Sequence, residues 1–135
     1  MKRKCMMFFA FTMAVTSSVW AQAPAAGEKE TGIAAVYSDA LNGHVTASGQ
    51  LYDRTKLTAA HKTLPFGTKI KVTNPKNKRS VVLRVNDRGP VQLGRILDIS
   101  PAAAAQLRIS PKVMREITLE VIALGNGKTK RQATN

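Results

Sequence analysis

The stretch "TKIKVTNPKNKRSVVLRVN", residues 68–86, contains two runs with strand-like composition. In the first run, Ile70 and Val72 fall on one face of an extended chain, and the lysines beside them fall on the other. The second run, residues 79–86, is rich in β-branched side chains, and a turn containing proline and asparagine separates it from the first. This pattern predicts a β-hairpin and favours a mainly β protein.

Short strands are predicted on both sides of this hairpin, at residues 31–38, 95–100 and 117–124. One helix is predicted over residues 101–107, because Ser100 is a good N-cap, Pro101 suits the first helical position and four alanines follow. A second helical turn is expected near residues 58–61. Many short strands with turn signals between them favour a small barrel or sandwich over an α/β sheet.

Residues 1–21 are expected to be a secretory signal peptide. Three basic residues precede a mostly apolar run from Cys5 to Val19, and Ala21 ends a small-residue cleavage pattern before Gln22. Cleavage there places the protein in the periplasm or outside the cell. No lipidation site is expected, because Cys5 is the only cysteine and leaves with the signal. The apolar run is short and interrupted by serine and threonine, so no membrane span is predicted.

The rest of the chain is expected to form a monomer with one domain at residues 31–124, between a flexible linker at 22–30 and a disordered basic tail at 125–135. Loss of three basic and no acidic residues with the signal lowers the net charge from +13 to +10. Such a charge favours binding to polyanions, which outside the cytoplasm include anionic cell-wall polymers. Nucleic acid is not an expected partner, because only 5% of the residues are aromatic and no nucleic-acid-binding motif is present.

Most of the unusual polar residues lie in four blocks. They are "TASGQLYD" at 46–53, "LTAAHKTLPFGT" at 57–68, "VNDRGP" at 85–90 and "RILDIS" at 95–100. In this order and at these gaps, the blocks resemble the RlpA (rare lipoprotein A) family of bacterial cell-wall proteins. The resemblance covers roughly residues 31–124, and it implies a six-stranded double-psi β-barrel with one or two short helices.

By this resemblance, the chain is expected to be a lytic transglycosylase that acts on peptidoglycan glycan strands. Such enzymes break the β-1,4 bond between N-acetylmuramic acid and N-acetylglucosamine. The muramyl 6-hydroxyl attacks C1, so the product has an anhydromuramyl end and no water is consumed. Asp87 matches the family's catalytic aspartate, and His61 matches its functionally important histidine. Position 50 matches a glutamate of the family, but this chain has Gln50.

Cleavage of a glycosidic bond needs a proton at the leaving oxygen, which a carboxylic acid normally supplies. A transglycosylase can work with one carboxyl group, because the substrate supplies its own nucleophile. The candidates in the domain are Asp39, Asp53, Asp87, Asp98, Glu116 and Glu120. Asp87 is the best placed, because strand alternation predicts that Arg88 points to the opposite side and need not pair with it. In the alternative interpretation, Asn86 and Asp87 cap a turn and Arg88 forms a salt bridge with Asp87.

The remaining candidates have less specific roles, and no metal or other cofactor is expected. His61 is expected to orient or tune the aspartate through a hydrogen bond, or to hold the substrate. Asp98 either pairs with Arg95 or is a second candidate for the chemistry. Gln50 forms hydrogen bonds but cannot titrate, which removes any acid-base role of a glutamate at this position. The expected substrate-binding residues are Thr46, Gln50, Asn86, Arg88 and Asp98.

Two functions of different classes remain open. The first is a peptidoglycan lytic transglycosylase that uses Asp87 together with His61. The second is a non-catalytic, expansin-like barrel that binds glycan or loosens the wall. In that second case, Asp87, Gln50 and Arg88 only form hydrogen bonds with sugars.

Overall fold

The computed structural model describes residues 25–128, so the predicted signal peptide, its cleavage site and Cys5 lie outside the described residues. These residues contain six strands: β1 (Lys29–Val36), β2 (Thr58–His61), β3 (Lys69–Asn74), β4 (Arg79–Asp87), β5 (Arg95–Ile99) and β6 (Arg115–Ala123). They are joined by one helix, α1 (Pro101–Leu107), and one 3₁₀ turn (Asp39–Leu41). In the described part of the chain, no helix has the length and apolar character needed to cross a membrane.

The strands close into a barrel in the order β1-β5-β2-β4-β3-β6. The predicted β3–β4 hairpin is confirmed, and it pairs Ile70 with Leu83 and Val72 with Val81. Two pairings are parallel, β1 with β5 and β2 with β4, and each needs a crossover connection through the rest of the fold. The other neighbours are antiparallel. The expected six-stranded double-psi β-barrel is therefore confirmed.

The core is filled by aliphatic side chains, which alternate with exposed residues most regularly along β3 and β4. The largest fully buried ones are Ile70, Leu83, Leu97, Ile99, Leu107, Ile117, Leu119, Val72 and Val85. Helix α1 is confirmed and packs against this core through Ala103, Ala104 and Leu107. The Ser100 hydroxyl accepts a hydrogen bond from the Ala103 amide, as its N-cap role predicted.

The helical turn predicted near residues 58–61 is wrong, because this segment is strand β2. Its two alanines favour a helix locally, but β2 lies between β4 and β5 and hydrogen-bonds to both. Ala59 and Ala60 are both fully buried, so tertiary pairing overrides the local propensity. The second short helix is the 3₁₀ turn at Asp39–Leu41 instead.

The ordered domain extends beyond the predicted limits of 31 and 124. Strand β1 begins at Lys29, which pairs with Glu120, so it includes the last two residues of the predicted linker. At the other end, the Gly125 amide donates to Thr68 Oγ1 and the Gly127 amide donates to the Phe66 carbonyl. The start of the predicted tail is therefore attached to the barrel, and residues 22–24 and 129–135 lie outside the described range.

Gly125→Ala is expected to destabilise the fold. A Cβ at Gly125 lies 2.1 Å from the Phe66 carbonyl oxygen and 2.5 Å from the Thr68 nitrogen, and both atoms belong to the backbone. Overpacking of this kind costs about 1–3 kcal/mol. Urea denaturation measures the loss, with Asn126→Ala at the exposed neighbour as the control. Equal stability of Gly125→Ala and wild type would show that residues 125–127 are not attached to the barrel.

Candidate active site

A β-bulge at the end of β4 decides where the residues of the "VNDRGP" block lie. Ala59 of β2 pairs with Val85 and Ala60 pairs with Asp87, so Asn86 is the additional residue in β4. Bulges of this kind re-aim the side chains that follow them and often lie beside active sites. Val85 faces the core, whereas Asp87 pairs with outward-facing Ala60 and shares its face of the barrel.

Three hydrogen-bond donors hold the Asp87 carboxyl group. The Tyr37 hydroxyl donates to Oδ2 over 2.6 Å. The amides of Ala47 and Arg88 donate to Oδ1 over 3.0 Å and 2.8 Å. Burial raises the pKa of Tyr37, and its hydrogen bond to Asp87 adds to the shift, so its hydroxyl keeps its proton. Sequence reasoning missed Tyr37, because an aromatic residue at the end of a strand is expected in the core.

The guanidinium group of Arg88 points away from Asp87. Its Nη1 donates to the carbonyls of His61 over 3.3 Å and Leu64 over 2.8 Å. The guanidinium carbon also lies 4.0 Å from the centre of the Phe66 ring, within cation–π distance. Within residues 25–128, no ion pair joins Arg88 to Asp87. The predicted separation of the two side chains is therefore confirmed, and the alternative salt bridge is wrong.

Asp98 is a second carboxyl group on the same face, across one strand from Asp87. Ala60 of β2 pairs with Asp87 on one side and with Asp98 on the other. The proposed pairing with Arg95 is confirmed, since Nη2 of Arg95 lies 3.2 Å from Asp98 Oδ1. Burial raises the pKa of Asp98, the Arg95 charge opposes this, and the Asp87 charge adds to it. Gly89 lies beside Asp98 and has a φ of +129°, a backbone conformation that favours glycine.

His61 lies on the opposite face of β2 from Asp87. Its buried ring accepts hydrogen bonds at Nδ1 from the amides of Thr63 and Leu64, both over 3.1 Å. The ring proton is therefore on Nε2, which lies 3.5 Å from Glu30 Oε2. Burial lowers the pKa of His61, although Glu30 opposes the shift. The expected hydrogen bond from His61 to Asp87 is absent from the described residues.

His61 instead contacts the site through its backbone, because its carbonyl accepts from Arg88. Glu30 was missed by sequence reasoning, because its polar surroundings placed it in the predicted linker. The only signal for Glu30 would have been a strand pattern that begins at residue 29 and not at the predicted residue 31.

A cavity of about 630 Å³ lies beside the bulge, between the loop that follows the 3₁₀ turn and strands β2 and β4. Of the predicted substrate-binding residues, Gln50 and Asn86 line this cavity. Thr46 is buried and donates from its hydroxyl to the Gln50 carbonyl over 2.9 Å, so it organises the loop. Asp98 flanks Asp87 outside the cavity, and Arg88 is tied to backbone carbonyls. The structure thus brings Asp87 and Asp98 together on one side of the bulge. Gln50 and Asn86 lie together on the other side.

Comparisons with known proteins agree with this fold. A family model described as "Lytic transglycolase" matches residues 29–122. A Campylobacter jejuni protein named "Endolytic peptidoglycan transglycosylase RlpA" is 45% identical over 105 residues, which is 78% of this chain and 38% of that protein. The protein of the same name from Vibrio cholerae is 45% identical over 98 residues, 73% of this chain and 37% of that protein. The chain therefore spans little more than a third of the length of these relatives.

Among solved structures, the Streptomyces papain inhibitor (SPI) has a similar fold. It superposes with a TM-score of 0.55 at 23% sequence identity, and the match covers 72% of this chain and 96% of the inhibitor. At this level of identity, the similarity concerns the barrel and not the function.

Asp98→Asn is expected to gain stability relative to wild type as the pH rises from about 4 to about 7. The pKa of Asp98 is raised above its ordinary value of 3.8, so the folded protein binds this proton more tightly than the unfolded chain does. Stability contributed by such a group is present below the ordinary pKa and is lost as the pH rises through the folded value. Urea midpoints at several pH values measure the difference between the two proteins.

Asp53→Asn is the matched control, with the opposite sign. Hydrogen bonds from Thr55 lower the pKa of Asp53, so this group adds stability above its ordinary pKa and loses it as the pH falls. A constant difference between wild type and Asp98→Asn over this range would show that Asp98 is not in the buried state described.

Proposed function

This chain belongs to the RlpA family of lytic transglycosylases, and from that membership we propose that it cleaves peptidoglycan glycan strands outside the cytoplasm. The bond cleaved is the β-1,4 bond between N-acetylmuramic acid and N-acetylglucosamine, and the product carries an anhydromuramyl end. The observation that supports this most directly is the geometry of Asp87. Its carboxyl group is presented on the outer face by the bulge and is oriented by three donors.

The proton balance of the reaction allows one carboxyl group to act as both acid and base. Protonated Asp87 donates to O4 of the leaving N-acetylglucosamine as the C1–O4 bond breaks. The carboxylate then accepts the proton of the muramyl 6-hydroxyl as O6 forms its bond to C1. Asp87 ends protonated, as it began, and water takes no part. The Tyr37 hydroxyl can donate to Asp87 Oδ2 in both states, because a protonated carboxyl group keeps acceptor lone pairs, so the acid proton stays available for O4.

Asp98 is the second carboxyl group within reach of the same substrate. Its side chain is only 16% exposed, and burial raises its pKa, so it holds a proton at higher pH than an exposed aspartate does. A charged Asp98 would add a second negative charge beside Asp87. We therefore infer that the charge of Asp98 tunes the site, and that Asp87 performs the proton transfers.

His61 acts as a positioning residue in this proposal. Its Nδ1 closes the turn at residues 61–64, and the carbonyls of His61 and Leu64 in that turn accept from Arg88. The Arg88 amide in turn donates to Asp87. The imidazole is thus connected to the carboxyl group through the turn and the Arg88 backbone.

The non-catalytic alternative is retained because of Gln50. This side chain lines the cavity beside the bulge, where it can form hydrogen bonds with a sugar but cannot transfer a proton. An expansin-like barrel needs only such contacts. Product analysis separates the alternatives, because only the transglycosylase generates anhydromuramyl ends.

Asp87→Asn is expected to lower the cleavage rate by at least about 10²-fold, the usual lower limit for loss of a general acid-base group. The amide keeps the shape of the side chain, so folding and glycan binding are expected to persist. Mass spectrometry of digested peptidoglycan sacculi measures the anhydromuramyl ends.

Glu116→Gln, an exposed carboxyl-to-amide change on β6, is the matched control and should leave the rate unchanged. Equal rates for Asp87→Asn and wild type would exclude Asp87, and Asp98 would be tested next. Binding by wild type without any product would support the alternative.

His61→Ala is expected to reduce cleavage, and His61→Asn is expected to restore part of it. The Oδ1 of asparagine lies about where Nδ1 lies, because both atoms are bonded to Cγ, so it can accept from the amides of Thr63 and Leu64. The rate of anhydromuramyl release and its pH profile are measured for both variants. If both fold and His61→Asn is as slow as His61→Ala, the imidazole has a direct role and the positioning role is wrong.

A further inference from the structure

Three residues that line the cavity beside the bulge carry buried polar atoms that have no hydrogen-bond partner in the described part of the protein. They are the Tyr52 hydroxyl, Thr58 Oγ1 and Asn86 Oδ1. Tyr52 and Asn86 are only 3% and 4% exposed. Buried polar groups in proteins nearly always have a hydrogen-bond partner. Three such residues around one cavity indicate a site for a polar ligand.

The cavity also carries positive charge. Lys56 and Arg84 line it, and within residues 25–128 neither takes part in an ion pair. The acidic residue of the lining, Asp53, accepts hydrogen bonds from the Thr55 amide and hydroxyl and stays charged, so the two cations leave the lining with a net positive charge. The polar atoms and the two cations together suit a ligand with hydroxyl or amide groups and a negative charge.

The size and position of the cavity fit a sugar unit of a glycan strand. Its volume of about 630 Å³ lies within the range of about 300–1,000 Å³ that is typical of ligand sites. Asn86 immediately precedes Asp87 in the bulge. The Tyr52 ring also lies 4.8 Å from the ring of Tyr37, whose hydroxyl donates to Asp87. A sugar in the cavity would therefore adjoin the group that bonds to Asp87.

We propose that this cavity is a subsite for a sugar unit that carries an anionic group. Tyr52, Thr58 and Asn86 bind its hydroxyl and amide groups, and Lys56 and Arg84 bind its carboxylate or phosphate. This inference rests on the proposed function, in which the substrate is a glycan strand, and N-acetylmuramic acid supplies such a carboxylate through its lactyl ether. Burial raises the pKa of Tyr52 to about 12, so its hydroxyl remains a donor at neutral pH.

The test compares three small sugars by NMR titration of the labelled protein. N-acetylmuramic acid and N-acetylglucosamine differ only by the lactyl group, and N-acetylglucosamine 6-phosphate tests phosphate as the source of the charge. We expect the amide signals of Tyr52, Thr58 and Asn86 to shift. At least one anionic sugar is expected to bind about fivefold or more tightly than N-acetylglucosamine, since hydrogen bonds to charged groups are the stronger ones. The tighter of the two identifies the anionic group.

Arg84→Gln and Lys56→Gln are each expected to reduce the preference for the anionic sugar towards unity. Lys71→Gln is the matched control, because Lys71 lies on the outer face of β3, outside the cavity, and loses the same charge. Folding of each variant is checked from its amide spectrum, and two cavity variants are used in case one fails to fold. Equal binding of neutral and anionic sugars by wild type would overturn the charge selection. Shifts that avoid the cavity would overturn the subsite itself.

The outcomes also separate this inference from the proposed function. The three probes contain no glycosidic bond, so their binding is independent of cleavage. Anhydromuramyl release from sacculi without binding of the probes in the cavity would overturn the subsite alone. Binding in the cavity without such release would overturn the proposed activity alone.

Discussion

The candidate site depends on the pairing of one small residue, Ala60, with an aspartate on each side. Strand β2 is parallel to β4 and antiparallel to β5, and Ala60 is opposite Asp87 in the first and Asp98 in the second. Paired residues share a face of the sheet, so the two carboxyl groups project together. Since Ala60 has only a methyl group and is fully buried, a larger side chain would occupy the space between them. A shift of β4 by one residue would turn Asp87 towards the core.

The bulge at Asn86 determines which face of the barrel Asp87 occupies. In a regular strand, the residue two positions after Val85 would share its inward face, and Asp87 would be buried among aliphatic side chains. The additional residue returns Asp87 to the outer face while Val85 stays in the core. The groups that then fix its carboxyl come from distant parts of the chain, Tyr37 at the end of β1 and Ala47 in the following loop. The site is therefore assembled only when the barrel has closed.

Local patterns in the sequence were sufficient for the β3–β4 hairpin, for α1 and for the separation of Asp87 from Arg88. They failed for β2, because an alanine pair favours a helix locally and the strand exists only through its two neighbours. They also failed for Glu30, whose polar surroundings hide the start of β1. The hydrogen bond from Tyr37 to Asp87 was not predictable either, because strand alternation gives the face of a side chain but not the partner of its hydroxyl.

His61 and Ala60 are neighbours in β2, but only Ala60 lies beside the Asp87 carboxyl group. Because successive side chains alternate, His61 and Ala60 lie on opposite faces of β2, and the imidazole cannot reach the Asp87 carboxyl group. Its effect must pass through the backbone, from the turn that Nδ1 closes to the carbonyls that hold Arg88. That connection requires an unprotonated Nδ1. Burial, which lowers the pKa of His61, favours this neutral form. Burial thus keeps Nδ1 of His61 available as an acceptor on one face of β2. Through the turn that it closes, this atom helps to hold Arg88, and with it Asp87, in place on the other face.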